Sequence, residues 1–86
     1  MNYYDPTPNQ LKLASIGRKL MDVAATTSMK GLKDDEIGRF NRMASFGDTL
    51  TRVGALFGPK NLKEILDTAR ITQDEATEFM QIGMKG

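Results

Sequence analysis

The chain has 86 residues, 27% of them charged, a formal net charge of +1, and no cysteine, histidine or tryptophan. That bounds one small domain with no disulfide or thiolate metal site, without the usual general base and commonest metal ligand, and without the strong basic excess of a dedicated nucleic-acid protein. The longest apolar runs are stretches such as Ala55-Leu56-Phe57, far short of the about 20 residues of a membrane span, and the start MNYYDPTPNQ lacks the basic-then-apolar order of a secretory signal.

Residues 1–7 read as an extended N-terminal arm, because Pro6 and Pro8 both disfavour helix in the residue before them. The remainder, 8–86, reads as a single helical domain. Thr7 suits an N-cap, Pro8 the first helical position and Gln10 the reciprocal bond to the cap. Behind them Leu13, Ile16, Leu20, Val23 and Ala24 share one helical stripe, which predicts a helix over about 8–26. Thr26, Thr27 and Ser28 weaken it, and Gly31 ends the connection.

Asp34-Asp35-Glu36 opens a second helix, since acids favour the positive end of a helix dipole. Ile37, Phe40 and Ala44 form its apolar stripe, with Met43 and Phe46 nearby. An interior glycine costs about 1 kcal/mol relative to alanine. A break at Gly47 is therefore expected, with Asp48 capping a short third helix that holds Leu50, Val53, Leu56 and Phe57. The alternative is one helix through Gly47. Phe40, Met43, Gly47, Leu50, Gly54 and Phe57 would then share a seam, with the glycines as notches for a close neighbour.

The stretch GALFGPKN, residues 54–61, invites comparison with a phosphate-binding loop. Such a loop needs four residues between its glycines, then Gly-Lys-Ser/Thr, after a strand. Here three residues separate Gly54 from Gly58, Pro59 precedes Lys60, and Asn61 stands in the hydroxyl position. Gly58-Pro59 reads instead as a helix stop, and Asn61 with Glu64 as the start of the next helix. That helix carries Leu62, Ile65, Leu66 and Ala69 and should end near Arg70. Thr72-Gln73-Asp74-Glu75 is a capping box with Ile71 placed to staple onto Ala76. The last helix turns Ala76, Phe79 and Met80 inward and frays at Gly83. No segment alternates long enough for a strand.

The acidic groups Asp34-Asp35-Glu36 and Asp74, Glu75, Glu78 sit at predicted helix starts, where dipole stabilisation accounts for them. Neither follows the alternating oxygen spacing of a calcium loop. Ser15, Ser28 and Ser45 have no histidine to activate them. No enzyme activity, cofactor, metal or small-molecule substrate is therefore expected.

Binding is what remains. Tyr3 and Tyr4 on the arm, Phe57, and Phe79 with Met84 near the C-terminus are the candidate protein-contact residues, aromatic and methionine side chains being good and adaptable contact groups. A helix-turn-helix alternative lays residues 39–58 around a turn at Gly47. Thr49, Thr51 and Arg52 would then face DNA, and Arg39 and Arg42 would meet phosphates. Charge is uneven along the chain. Residues 1–33 hold five Lys/Arg against two Asp, and residues 61–86 hold three against five Asp/Glu. Such polarity can orient self-association or docking on a charged partner.

The segment NLKEILDTARITQDEATEF, under a quarter of the chain, resembles the short C-terminal SHOCT module of bacterial and phage proteins. The similar residues are Leu62, Ile65, Leu66, Ile71, Thr72 and Glu75. Arg70 stands where that module usually has glycine, and Ala76 where it usually has an aromatic residue. The resemblance implies an interaction or oligomerisation role and is not taken as membership.

The sequence thus reads as an all-α, compact bundle of four to five short helices with an extended N-terminal arm. The expected function is that of a small non-enzymatic accessory protein, an inhibitor or assembly factor of the kind phages and mobile elements encode. It would bind another protein or itself in the cytoplasm or a virion, without a membrane. Nucleic acid is the alternative partner.

Overall fold

Proline lacks an N–H and has a fixed φ, so it costs nothing at a first helical position. A computed structural model describes residues 8–54 and 61–85, and its first helix, α1 (Pro8–Thr26), starts at such a proline. Ile16, Leu20 and Ala24 are buried along its inner stripe, with Leu13 and Val23 half-buried beside them. At its end the Thr26 and Thr27 hydroxyls donate back to the carbonyls of Asp22 and Val23, at 2.8 and 2.6 Å. Hydroxyls that bond back in this way slightly weaken a helix. The chain then turns where Leu32 N–H bonds the Met29 carbonyl and Gly31 takes φ +82°, a conformation glycine adopts without steric cost.

The second helix, α2 (Asp34–Gly54), begins with Asp34, Asp35 and Glu36 in its first turn. The Glu36 carboxylate reaches back to accept from Lys33 N–H at 3.3 Å, one half of a capping box. The expected break at Gly47 does not form: α2 passes through Gly47 without interruption. Asp48 opens no third helix but sits mid-α2, paired with Arg52 one turn on. The reason is tertiary. A Cβ on Gly47 would lie 2.6 Å from the Gly17 carbonyl oxygen, and one on Gly17 would lie 2.5 Å from the Gly47 carbonyl oxygen. Two facing glycines let the backbones of α1 and α2 nearly touch. The packing gained there outweighs about 1 kcal/mol of lost helix propensity at each site.

The third helix, α3 (Leu62–Ala69), is capped by Asn61, whose side chain accepts from Glu64 N–H at 2.9 Å. It ends at Arg70, which adopts the left-handed conformation at φ 59° and ψ 44°. Arg70 N–H bonds Asp67 O, and Ile71 N–H bonds Leu66 O, the paired closure of a left-handed helix stop. The fourth, α4 (Gln73–Met84), is capped by Thr72, whose hydroxyl accepts from Glu75 N–H at 3.2 Å. Ile71 and Ala76 on either side of that cap are both buried. Nor does α4 fray at Gly83. That residue is buried within the helix, and a Cβ there would run into Ile16 of α1.

Four helices therefore make up the described residues, without a strand among them. The α1–α2 pair is the most extensive contact, and α4 and α3 lean on it. Arg39 pairs with Glu78 and Arg42 with Glu75, so α2 and α4 run antiparallel. Leu20, Met43, Phe46, Leu50, Ala69, Ile71, Ala76 and Phe79 meet in one core. Its centre is the Phe46–Phe79 pair, with ring centroids 6.2 Å apart and planes tilted by 39°. The arm at 1–7, and the stretch 55–60 with its stop at Gly58-Pro59, lie outside the described residues.

Candidate interaction surfaces

The α2–α4 seam fixes where several of the candidate residues go. Three-residue spacing places Arg39 and Arg42 on one face of α2, and the same spacing places Glu75 and Glu78 on one face of α4. The antiparallel packing joins them. Arg42 grips Glu75 through two nitrogens at 2.8–3.0 Å. Its guanidinium is held above its ordinary range by those hydrogen bonds, which outweigh the opposing desolvation. Arg39 donates to Glu78 at 2.6 Å and stands over the Phe79 ring, 5.7 Å from its centroid, within reach of a cation–π contact. Glu75 and Glu78 thus act as interhelix clamps. Glu75 turns its carboxylate toward Arg42 on α2, and the Thr72 half of the expected capping box is the half observed.

The structure places the candidate residues as follows. Phe79 is 0% exposed and belongs to the core rather than to a contact surface. Thr49 is 2% exposed, with its hydroxyl bonded to the Ser45 carbonyl. Thr51 is half-buried, bonded to the Gly47 carbonyl at 2.9 Å. Arg39, Arg42 and Arg52 each hold an acid. With α2 continuous through Gly47, residues 39–54 do not form the turn or the outward-facing row that a helix-turn-helix reader needs. Met84 is 55% exposed on the last turn of α4, beside Lys12, Ser15, Ile16 and Gly83 in a shallow cleft of about 280 Å³. Tyr3, Tyr4 and Phe57 lie outside the described residues.

One surface went unnoticed in the sequence. A groove of about 370 Å³ opens where the end of α1, the start of α2 and the end of α4 meet. Val23, Phe40, Met43 and Ile82 supply apolar walls, and Thr27, Glu36 and Arg39 line it as polar groups. Apolar walls with a few convergent polar groups are the usual form of a binding cleft. The sequence placed Val23 and Phe40 on their apolar stripes without any sign that three helices would leave a groove between them. Among the described residues, no acidic cluster is arranged to hold a metal ion, no buried side-chain polar atom lacks a partner, and no helix is long and apolar enough to cross a membrane.

No family model matches the chain, and no curated protein or solved structure matches it.

Proposed function

We propose that this chain is a small non-enzymatic accessory protein that docks on another protein, and that the α1–α2–α4 groove receives apolar side chains of that partner. The observation that carries the reading is the groove itself. Four large apolar side chains line it, and burying one or two partner residues there would remove them from water at about 25 cal/mol per Å². Its charged lining groups, Glu36 and Arg39, supply polar contacts of the kind that fix orientation. The helix-turn-helix alternative lacks comparable support, since its reading threonines are covered and its arginines are engaged.

The test is capture of partners by the tagged chain, read by mass spectrometry, alongside the variant Thr27→Arg. Thr27 is half-buried on the groove, so arginine there occupies the opening without entering the core. A partner held by the wild type and lost from Thr27→Arg at unchanged melting temperature supports the proposal. A partner held equally by both refutes the groove. A duplex shift that weakens steeply with salt would favour nucleic acid.

A further inference from the structure

Among the described residues, Leu11, Leu62 and Met84 are the large apolar side chains left exposed, each at 55%. Leu62 lines a cleft between α3 and the body, and the lysine after it, Lys63, is engaged by Asp67. Met84 differs. It stands on the last turn of α4 beside Lys12 and is followed by Lys85. Both lysines are exposed, and neither forms an ion pair with a described residue. The end of α4 thus presents an adaptable apolar side chain flanked by two uncommitted cations.

The α1–α2–α4 groove carries the converse pattern. Its walls are Val23, Phe40, Met43 and Ile82, and its charged lining groups are Glu36 and Arg39. Arg39 is neutralised by Glu78, whereas Glu36 accepts from the Lys33 N–H and meets no cation among the described residues. The turn that opens α2 there, residues 33–36, holds one lysine against three acids. An apolar slot with an acidic rim complements an apolar side chain between lysines. Position decides how the two can meet. Ile82 walls the groove, and Met84 stands beside a different cleft. Residues two apart on an α-helix point about 200° away from each other, so a single chain cannot bring its own Met84 to its own groove.

We propose that a second copy of this chain occupies the groove, with its Met84 between the apolar walls and its Lys12 and Lys85 toward the α2 acids. Copies then add head to tail, through two different surfaces, and one of each stays free at the ends. The inference rests on the reading of the groove as a docking site and names one occupant, which a foreign partner would have to displace.

Sedimentation velocity on the full chain tests it. The mean mass of the wild type should rise between about 10 µM and about 1 mM, the range of weak contacts over small areas. It should fall back as salt screens the lysines. Thr27→Arg obstructs the groove, and Met84→Asp removes the inserted side chain. Neither position is buried, and unchanged melting temperatures verify that both variants fold. Each variant alone should associate at least about ten-fold more weakly than the wild type. Mixed one to one, they should form a dimer and nothing larger, because Thr27→Arg keeps its Met84 and Met84→Asp keeps its groove. Glu36→Lys should also weaken association, and adding Lys85→Glu to the same chain should restore it. A wild type still monomeric at about 1 mM overturns the self-association and leaves the groove to a foreign partner. Association that neither variant weakens, or a mixture that does not pair, overturns the seating of Met84 in the groove.

Discussion

Replacing Gly47 by alanine sets two effects of known sign against each other. In a helix interior the change adds about 1 kcal/mol of propensity, so without the close crossing the variant would be more stable. At the crossing, the new methyl would lie 2.6 Å from the Gly17 carbonyl oxygen, 2.9 Å from Met21 Cγ and 3.2 Å from Leu20 Cβ. Met21 can change rotamer to move its Cγ, but the backbone oxygen of Gly17 cannot move alone, so α1 must shift. Overpacking of this kind costs about 1–3 kcal/mol, and the net expectation is a loss of up to about 2 kcal/mol. For a chain of this size each kcal/mol moves the melting temperature by about 4–8 °C. Gly38 is the internal control. It is also inside α2, but a Cβ there would meet only Arg42 Nη1 at 3.2 Å, the guanidinium nitrogen outside the Glu75 grip, and a few tenths of an ångström of side-chain movement relieves that contact, so Gly38→Ala should raise the melting temperature. Thermal unfolding followed by circular dichroism reads both. A Gly47→Ala variant as stabilised as Gly38→Ala would refute the glycine-to-glycine crossing.

Phe79→Ala should lose about 3–5 kcal/mol, the usual cost of emptying a fully buried phenylalanine site, measured by urea unfolding. Met84→Ala, on an exposed side chain, should stay within about 0.5 kcal/mol of wild type in the same assay. Thr72→Ala should cost about 1 kcal/mol through loss of the α4 cap, visible as a lower denaturation midpoint. A double-mutant cycle on Arg42 and Glu75 should show favourable coupling, and the two-nitrogen grip predicts that it exceeds the coupling of Arg39 with Glu78.

Much of the local structure was legible because it is set by local chemistry. Pro8 as a helix start, Asn61 and Thr72 as caps, Gly31 as the end of the first connection and the stop near Arg70 each need only a few neighbouring residues. The misreadings share one cause. Gly47 and Gly83 look like helix breakers by propensity, but each is a point where another helix comes within reach of the backbone, as Gly17 and Ile16 do. Nothing in a single sequence says which glycines face each other. Phe79 lies on an apolar stripe, and the stripe alone does not say whether it meets the chain's own core or a partner. The Arg39–Glu78 and Arg42–Glu75 pairs join residues 39 and 33 positions apart, beyond any local pattern. The α1–α2–α4 groove was hidden for the same reason, since it is a property of three helices meeting. The left-handed Arg70 also accounts for why glycine would be at ease at that position.

The continuity of α2 through Gly47 is the geometric feature that the helix-turn-helix reading cannot accommodate, and backbone NMR measures it directly. Cα secondary shifts should stay helical without interruption from Asp34 through Gly47 to Gly54, placing Thr49 under cover. Shifts that lose helical character over residues 46–49 would contradict the account and restore the turn on which DNA recognition depends.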